Sequence, residues 1–177
     1  MILLNLKHKA FSLVEVMVVV AILGVGMLAV AALVQQSIKV NNISKSRLTA
    51  QELVQEGVEL IRWVRDNNFI EAGYEGSDPY WLENIEPGSY RMSFSMDYPE
   101  AITSIDQGRL QIVDDGFYEG LFDHNVFYPD SNFYRKIDIE SMPGATGNSV
   151  RVRATVKWKE GGQEALYSIE TILYDWY

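Results

Sequence analysis

The chain has no cysteine among its 177 residues. Its fold therefore uses no disulfide, and no thiol can serve as a nucleophile or a metal ligand. Histidine is almost as scarce, since only His8 and His124 occur, and we interpret His124 as a surface or packing residue. No paired carboxylates, no glycine-rich phosphate loop and no nucleophile with a histidine base stand out. These absences favour a protein that is not an enzyme and that uses no cofactor.

An excess of positive charge is also missing, because the formal net charge is −9. An acidic chain binds the backbone of nucleic acids poorly, so we expect no direct nucleic-acid partner. The hydrophobic share of 47% is enough for one membrane segment plus a domain of about 100 residues with a real core.

Charge is absent from nineteen consecutive residues, Val16 to Val34. As a helix this run is about 28 Å long, close to the roughly 30 Å hydrocarbon core of a bilayer. The alternatives are a buried core helix and a cleaved secretory signal peptide. The run is apolar on all sides, and neither a signal-peptidase motif nor a proline or glycine break follows Val34. We therefore predict a membrane-spanning helix.

The helical pattern continues beyond the apolar run. Apolar residues recur at spacings of three and four: Leu53, Val54, Val58, Leu60, Ile61 and Val64. Polar residues cover the opposite side, so this half is amphipathic. We predict one helix from about Phe11 to Asn68, ended by Asn67-Asn68 and then Gly73. Its membrane half is 11–34 and its amphipathic half is 35–68.

The remaining residues, 69–177, predict a globular β domain outside the membrane. Runs of alternating character bounded by turn residues indicate antiparallel strands. "SYRMSFSM" places Tyr90, Met92, Phe94 and Met96 on one face, and "RLQIV" begins at Arg109. "FYRKIDIE" alternates, with Phe133, Arg135, Ile137 and Ile139 on one face and Tyr134, Lys136, Asp138 and Glu140 on the other. The fold class is therefore α+β, with the amphipathic half of the helix packed on a small antiparallel sheet.

The last two strands can be predicted residue by residue. Gly161-Gly162 suits a two-residue hairpin turn, which pairs Glu160 with Gln163. By counting, the apolar face then consists of Val150, Val152, Ala154, Val156, Trp158, Ala165, Tyr167, Ile169, Thr171 and Leu173. The other face carries Arg151, Arg153, Lys157 and Lys159. These basic residues form either a ligand-binding stripe or, as we favour, a solvated face partly paired by Glu164 and Glu170.

The start of the chain resembles the type IV pilins and the related pseudopilins of type II secretion. The resemblance is specific over "KAFSLVEVMVVVAILG", Lys9 to Gly24. In that family a short basic leader precedes a phenylalanine, followed by small, aliphatic, aliphatic and glutamate residues and then an apolar run. Phe11 to Glu15 fit that order, and the long helix followed by a sheet fits the family's architecture. Pilus, secretion pseudopilus and DNA-uptake fibre all fit this pattern.

The resemblance implies a processing pathway. Residues 1–10 would be a cytoplasmic leader, with Lys7 and Lys9 on the inner side of the bacterial inner membrane. A prepilin peptidase would cut between Ala10 and Phe11 and methylate the new amine of Phe11. The subunit would then leave the membrane lipid through an inner-membrane assembly platform. It would join other pilin subunits in a fibre at the surface or in the periplasm.

Glu15 requires an explanation, because an uncompensated carboxylate costs roughly 2.5–3.5 kcal/mol at the centre of a span and less near its end. The resemblance implies that Glu15 meets the amine of a neighbouring Phe11 during assembly, which specifies register more than it adds stability. The alternative is a glutamate that reaches the lipid headgroups.

Three features differ from the family's usual pattern. Ala10 stands where glycine usually precedes the cut, and Ala32 stands where many major pilins have a proline. The C-terminal disulfide of many pilins has no counterpart here. The last two differences favour a minor pilin or pseudopilin.

Two alternatives remain open. A single-pass anchored binding or sensor domain that does not assemble is the alternative function. Asp114, Asp115, Glu119 and Asp123 form an acidic cluster with oxygen ligands of the kind calcium takes, but their spacing matches no defined calcium loop. We therefore favour a solvated acidic loop and predict no metal site.

Overall fold

The computed structural model describes residues 12–75, 81–94, 96–112, 118–120, 130–142 and 149–175, with backbone only for 72–75, 118–120 and 130. The elements, in chain order, are α1 (Leu13–Glu75), β1 (Gly88–Arg91), β2 (Glu100–Ala101), a 3₁₀ helix (Ile105–Gln107), β3 (Arg109–Ile112), β4 (Tyr118–Gly120), β5 (Asp130–Ser141), β6 (Ser149–Glu160) and β7 (Gln163–Tyr174). The α+β class with a long N-terminal helix is confirmed.

The single long helix is confirmed, but its predicted end at Asn68 is wrong, since α1 continues to Glu75. Asn68 is buried, and its side-chain amide donates to the backbone oxygens of Trp81 at 3.1 Å and Glu83 at 2.8 Å. Phe69 is also buried and extends the apolar stripe by another turn. Asn68 therefore anchors the loop that follows the helix and does not terminate it.

The amphipathic part of α1 packs on the sheet. Its predicted stripe is buried and belongs to one core cluster with Ile137, Val152 and Ala154 from β5 and β6. Gly57 allows the close approach, because a Cβ there would lie 3.1 Å from the Arg135 Cδ and 3.3 Å from the Ala154 Cβ. The helix and the sheet thus share a single core.

The described strands form one antiparallel sheet. On one side β5 pairs with β1 and β3, which pair in turn with β2 and β4. On its other side β5 pairs with β6, and β6 pairs with β7. Alternation along β5 buries Phe133, Arg135, Ile137 and Ile139, as its sequence predicts. Among the described strands, the long meander β5-β6-β7 therefore has β5 and β6 inside the sheet and β7 at its edge.

The predicted hairpin register is confirmed. Trp158 lies opposite Ala165 and Arg153 lies opposite Glu170, and the Trp158 side chain is buried, with its ring centroid 6.3 Å from that of Phe133. On the outer face the Arg153 Nε donates to the Glu170 Oε1 at 2.6 Å. This bond raises the pKa of Arg153 and favours the paired, solvated interpretation of that face.

The strand predicted from Tyr90 to Met96 is wrong beyond Arg91, where β1 ends. The backbone turns at this point, because the Met96 N–H donates to the Ser93 oxygen at 3.1 Å. Met92 is buried, whereas Phe94 is 84% exposed. The alternating residues Met92, Phe94 and Met96 therefore belong to a turn and not to a strand.

By internal contacts the chain divides into two compact units, Met1–Ser44 and Lys45–Tyr177. The second unit holds the core cluster and the described sheet.

Candidate functional site

Glu15 lies in the first turn of α1, and its side chain is exposed. The helix hydrogen bonds begin just before it, since the Val16 N–H donates to the Ser12 oxygen at 3.2 Å. An acidic residue in a first helical turn is stabilised by the helix dipole, by about 0.3–1 kcal/mol. Glu15 is thus tolerated at this end of the apolar run before any partner is considered.

The turns that follow present an aliphatic surface that no other described residue covers. Exposure is 75% for Leu13, 66% for Ile22 and 66% for Leu33. A Cβ added at Gly24 or Gly26 would meet nothing within 4 Å. In the described part of the chain, α1 is the one helix long and apolar enough to cross a membrane. A surface of this kind requires lipid or other protein around it.

The other predicted site residues are placed only in part. Ala10 and Phe11 lie outside the described residues, as do Asp114, Asp115 and Asp123. Glu119 lies in β4 opposite Gln111, and its side chain is outside the described set. Within the ranges that the structure covers, no three potential metal ligands come together.

Residues 5–31 match a family model described as the prokaryotic N-terminal methylation motif. The chain carries the methylation motif. This motif is the class III signal peptide of type IV pilins and pseudopilins, so the resemblance to prepilins is confirmed. Neither a comparison with curated proteins nor one with solved structures returned a match.

The methylation motif has consequences for partners and location. It indicates a prepilin-like chain of the kind that a prepilin peptidase processes. Together with the apolar part of α1 it indicates membrane anchoring in a bacterium. The motif is that of structural prepilins and not of an enzyme family.

Arg135 joins the helix to the sheet in the second unit. Its guanidinium is fully buried and donates to the Leu53 oxygen at 3.0 Å, to the Met92 oxygen at 2.6 Å and to the Glu56 Oε1 at 3.2 Å. Burial lowers the pKa of Arg135, and the neighbouring Glu56 carboxylate opposes that shift. Sequence alternation placed Arg135 on the apolar face but gave no sign of these partners.

A groove in the second unit was missed by sequence reasoning. We call it the Trp63 groove, and its volume is about 440 Å³. Leu60, Trp63, Phe94 and Met96 supply its apolar wall. Glu56, Glu59 and Asp97 supply carboxylates around it. The available signal was Trp63 itself, a large aromatic residue off the apolar stripe and 48% exposed.

Proposed function

We propose that this chain is the precursor of a structural subunit of a type IV pilus or a pseudopilus-like fibre. The observation that carries the proposal is the methylation motif at residues 5–31, which leads directly into a helix whose aliphatic side chains are exposed. A peptidase cut between Ala10 and Phe11 would leave Phe11 as the new N-terminus, and methylation would follow on its amine.

The same segment serves two environments in turn. Before assembly, membrane lipid covers the aliphatic surface, and Lys7 and Lys9 hold the leader on the cytoplasmic side. During assembly the platform in the inner membrane transfers the helix into the fibre, where the helices of other subunits replace the lipid. The aliphatic surface is thus buried in both states.

Glu15 sets the position of each incoming subunit. A methylated amine at Phe11 stays protonated, so it can pair with the Glu15 carboxylate of a neighbour. In a low-dielectric interior such a pair offsets much of the cost of burying either charge. A subunit out of register would leave both charges unpaired.

The mass of the N-terminal peptide of the mature chain tests the proposal. We expect a chain that starts at methylated Phe11 and that is recovered in sheared fibre fractions. Ala10→Leu places a bulky side chain at the cut and leaves full-length precursor in the membrane, whereas the matched Ala10→Gly variant is cut normally. A mature chain that starts elsewhere contradicts the proposal. An uncut wild-type chain that stays in the membrane supports an anchored binding or sensor domain.

A further inference from the structure

We propose that the Trp63 groove binds a second copy of this chain, through the basic and apolar segment of α1 at residues 38–48. The inference rests on the proposed function, because it names a surface through which assembled copies touch.

The groove has the composition of a docking site for an apolar side chain flanked by a cation. Trp63 is 48% exposed and Phe94 is 84% exposed. Both side chains line the groove, so two aromatic surfaces there are accessible to a partner. A volume of about 440 Å³ lies within the range of binding pockets, roughly 300–1,000 Å³. Large exposed aromatic residues are typical of contact sites.

The carboxylates around the groove are not equivalent. Glu56 is held by Arg135 at 3.2 Å, and Glu59 is held by Arg62 at 2.6 Å. Asp97 is exposed, and no side chain in the described ranges forms an ion pair with it. Asp97 is therefore the groove carboxylate that is available to a cation from outside.

The charge distribution along α1 identifies the occupant. Between Val16 and Gln51 the helix has three basic residues, Lys39, Lys45 and Arg47, and no acidic residue. From Glu52 to Glu75 acidic residues outnumber basic ones by six to two. If the α1 helices of two copies lie parallel and one is shifted along the helix axis, the basic stretch of one helix lies beside the acidic stretch of the other.

Within the basic stretch, Lys45 and Leu48 are the residues that match the groove. They are three positions apart and so lie on the same side of the helix. Leu48 is 61% exposed and Lys45 is exposed, whereas Arg47 already pairs with Glu160 at 3.3 Å. In the proposed contact, Leu48 of one copy packs against Trp63 and Phe94 of the second copy. Lys45 of the first copy then pairs with Asp97 of the second. A helix that lays an apolar side chain into a groove is a common mode of recognition.

Cysteine cross-linking in the full-length chain tests this contact, because the native chain has no cysteine. Two copies with different tags are co-expressed, one with Asp97→Cys and the other with Lys45→Cys. A short bismaleimide is then added to membranes and to sheared fibres. We expect a heterodimer band that contains both tags. The control pair is Asp97→Cys with Ser141→Cys, since Ser141 is also exposed but lies opposite Val150, at the far end of β6 from Glu160 and its partner Arg47, and it gives no such band.

Charge reversal supplies a second measurement. Lys45→Glu and Asp97→Lys each replace attraction by repulsion, and each lowers recovery in fibres about tenfold. The double variant restores the opposite charges and recovers most of the loss. Ser141→Glu, which adds a carboxylate at the far end of the sheet from Arg47, leaves recovery unchanged.

The outcomes separate this inference from the proposed function. Fibres without the heterodimer band overturn the groove contact and leave the fibre function intact. Loss with Asp97→Lys that the double variant does not repair also overturns it, because the groove then binds something else, such as a different subunit. If the wild-type chain forms no fibres, the proposed function fails. In that case the cross-linked heterodimer band is examined in membranes: its presence supports the groove contact, and its absence overturns the contact.

Discussion

At the scale of single residues, Glu15 has two separable roles. In the first turn of α1 it gains from the helix dipole, and in a fibre it would pair with an amine. Glu15→Val removes a charge from an apolar segment and leaves no polar group buried, so the precursor still folds and is still cut before Phe11. We expect its recovery in sheared fibres to fall strongly, as measured by immunoblot beside the N-terminal peptide mass.

Glu15→Asp serves as the control, since it keeps a carboxylate in the same turn and is expected to assemble better than Glu15→Val. Incorporation of Glu15→Val at the level of wild type would show instead that Glu15 only reaches the lipid headgroups.

Replacing the buried Arg135 is expected to cause a large loss of stability. Arg135→Met keeps much of the side-chain volume but removes the donors to Leu53, Met92 and Glu56. Breaking a buried charged network in this way costs about 3 kcal/mol in the free energy of unfolding. Urea unfolding of the full chain in detergent, followed by tryptophan fluorescence, measures the change.

The matched control is Arg151→Met. The Arg151 side chain is 37% exposed and its nearest carboxylate lies 3.5 Å away, so its loss costs no more than about 1 kcal/mol. Equal losses from both variants would refute a special role for the buried guanidinium.

At the scale of elements, the β6-β7 turn sets the hairpin. Gly161 and Gly162 have φ angles of 59° and 88°, which side chains with a branched Cβ tolerate poorly. Gly161→Val is expected to lower the free energy of unfolding by about 1–2 kcal/mol. Gly161→Asn is expected to be nearly neutral, because asparagine before glycine favours this turn. Thermal unfolding followed by circular dichroism compares the two variants, and an equal effect would contradict the turn argument.

The 3₁₀ helix is attached to β6 by an ion pair between Asp106 and Lys157. The bond with Lys157 lowers the pKa of Asp106, and the same bond raises the pKa of Lys157. The contribution of Asp106 is complete above about pH 4 and disappears as the pH falls through its lowered pKa. That of Lys157 is complete below about pH 10 and disappears as the pH rises through its raised pKa.

Asp106→Asn should therefore lower the melting temperature at pH 7, and the difference from wild type should shrink as the buffer is made more acid. Melting curves of both chains from pH 7 to pH 3 measure this. A difference that stays constant over that range would show that the ion pair contributes nothing.

At the scale of the whole molecule, we predict that calcium does not control folding. The acidic residues Asp114, Asp115, Glu119 and Asp123 match no defined calcium loop, so millimolar calcium is expected to leave the melting temperature of the chain nearly unchanged. A ligand of the native state raises the melting temperature by mass action. A rise of many degrees that a chelator reverses would show that the acidic loop is a metal site.

The parts of the fold that sequence predicted are those with a local signal. The α1 stripe repeats at helical spacing, and Gly161-Gly162 fixes the hairpin register by counting. The end of α1 was missed because Asn68 bonds to Trp81 and Glu83, and no local pattern shows such partners.

Features of the site that depend on residues distant in sequence were not predicted, for the same reason. The Trp63 groove forms where a helical face meets a turn distant in sequence. The turn at Met96 could not be distinguished from a strand, since its residues alternate in either case. By contrast, the order of residues from Phe11 to Glu15 was readable at once, because a processing motif is recognised as a linear sequence.

The bonds of Arg135 also have a mechanical consequence. In a fibre under tension, a pull along α1 reaches the sheet through the contacts between these two elements. The Arg135 guanidinium bonds to the helix at Leu53 and Glu56 and to the turn after β1 at Met92. When the helix is pulled along the sheet, these three bonds therefore bear the load at the same time and not one after another. A single-molecule pull on the helix should therefore show one abrupt rupture, and Arg135→Met should lower the force at which it occurs.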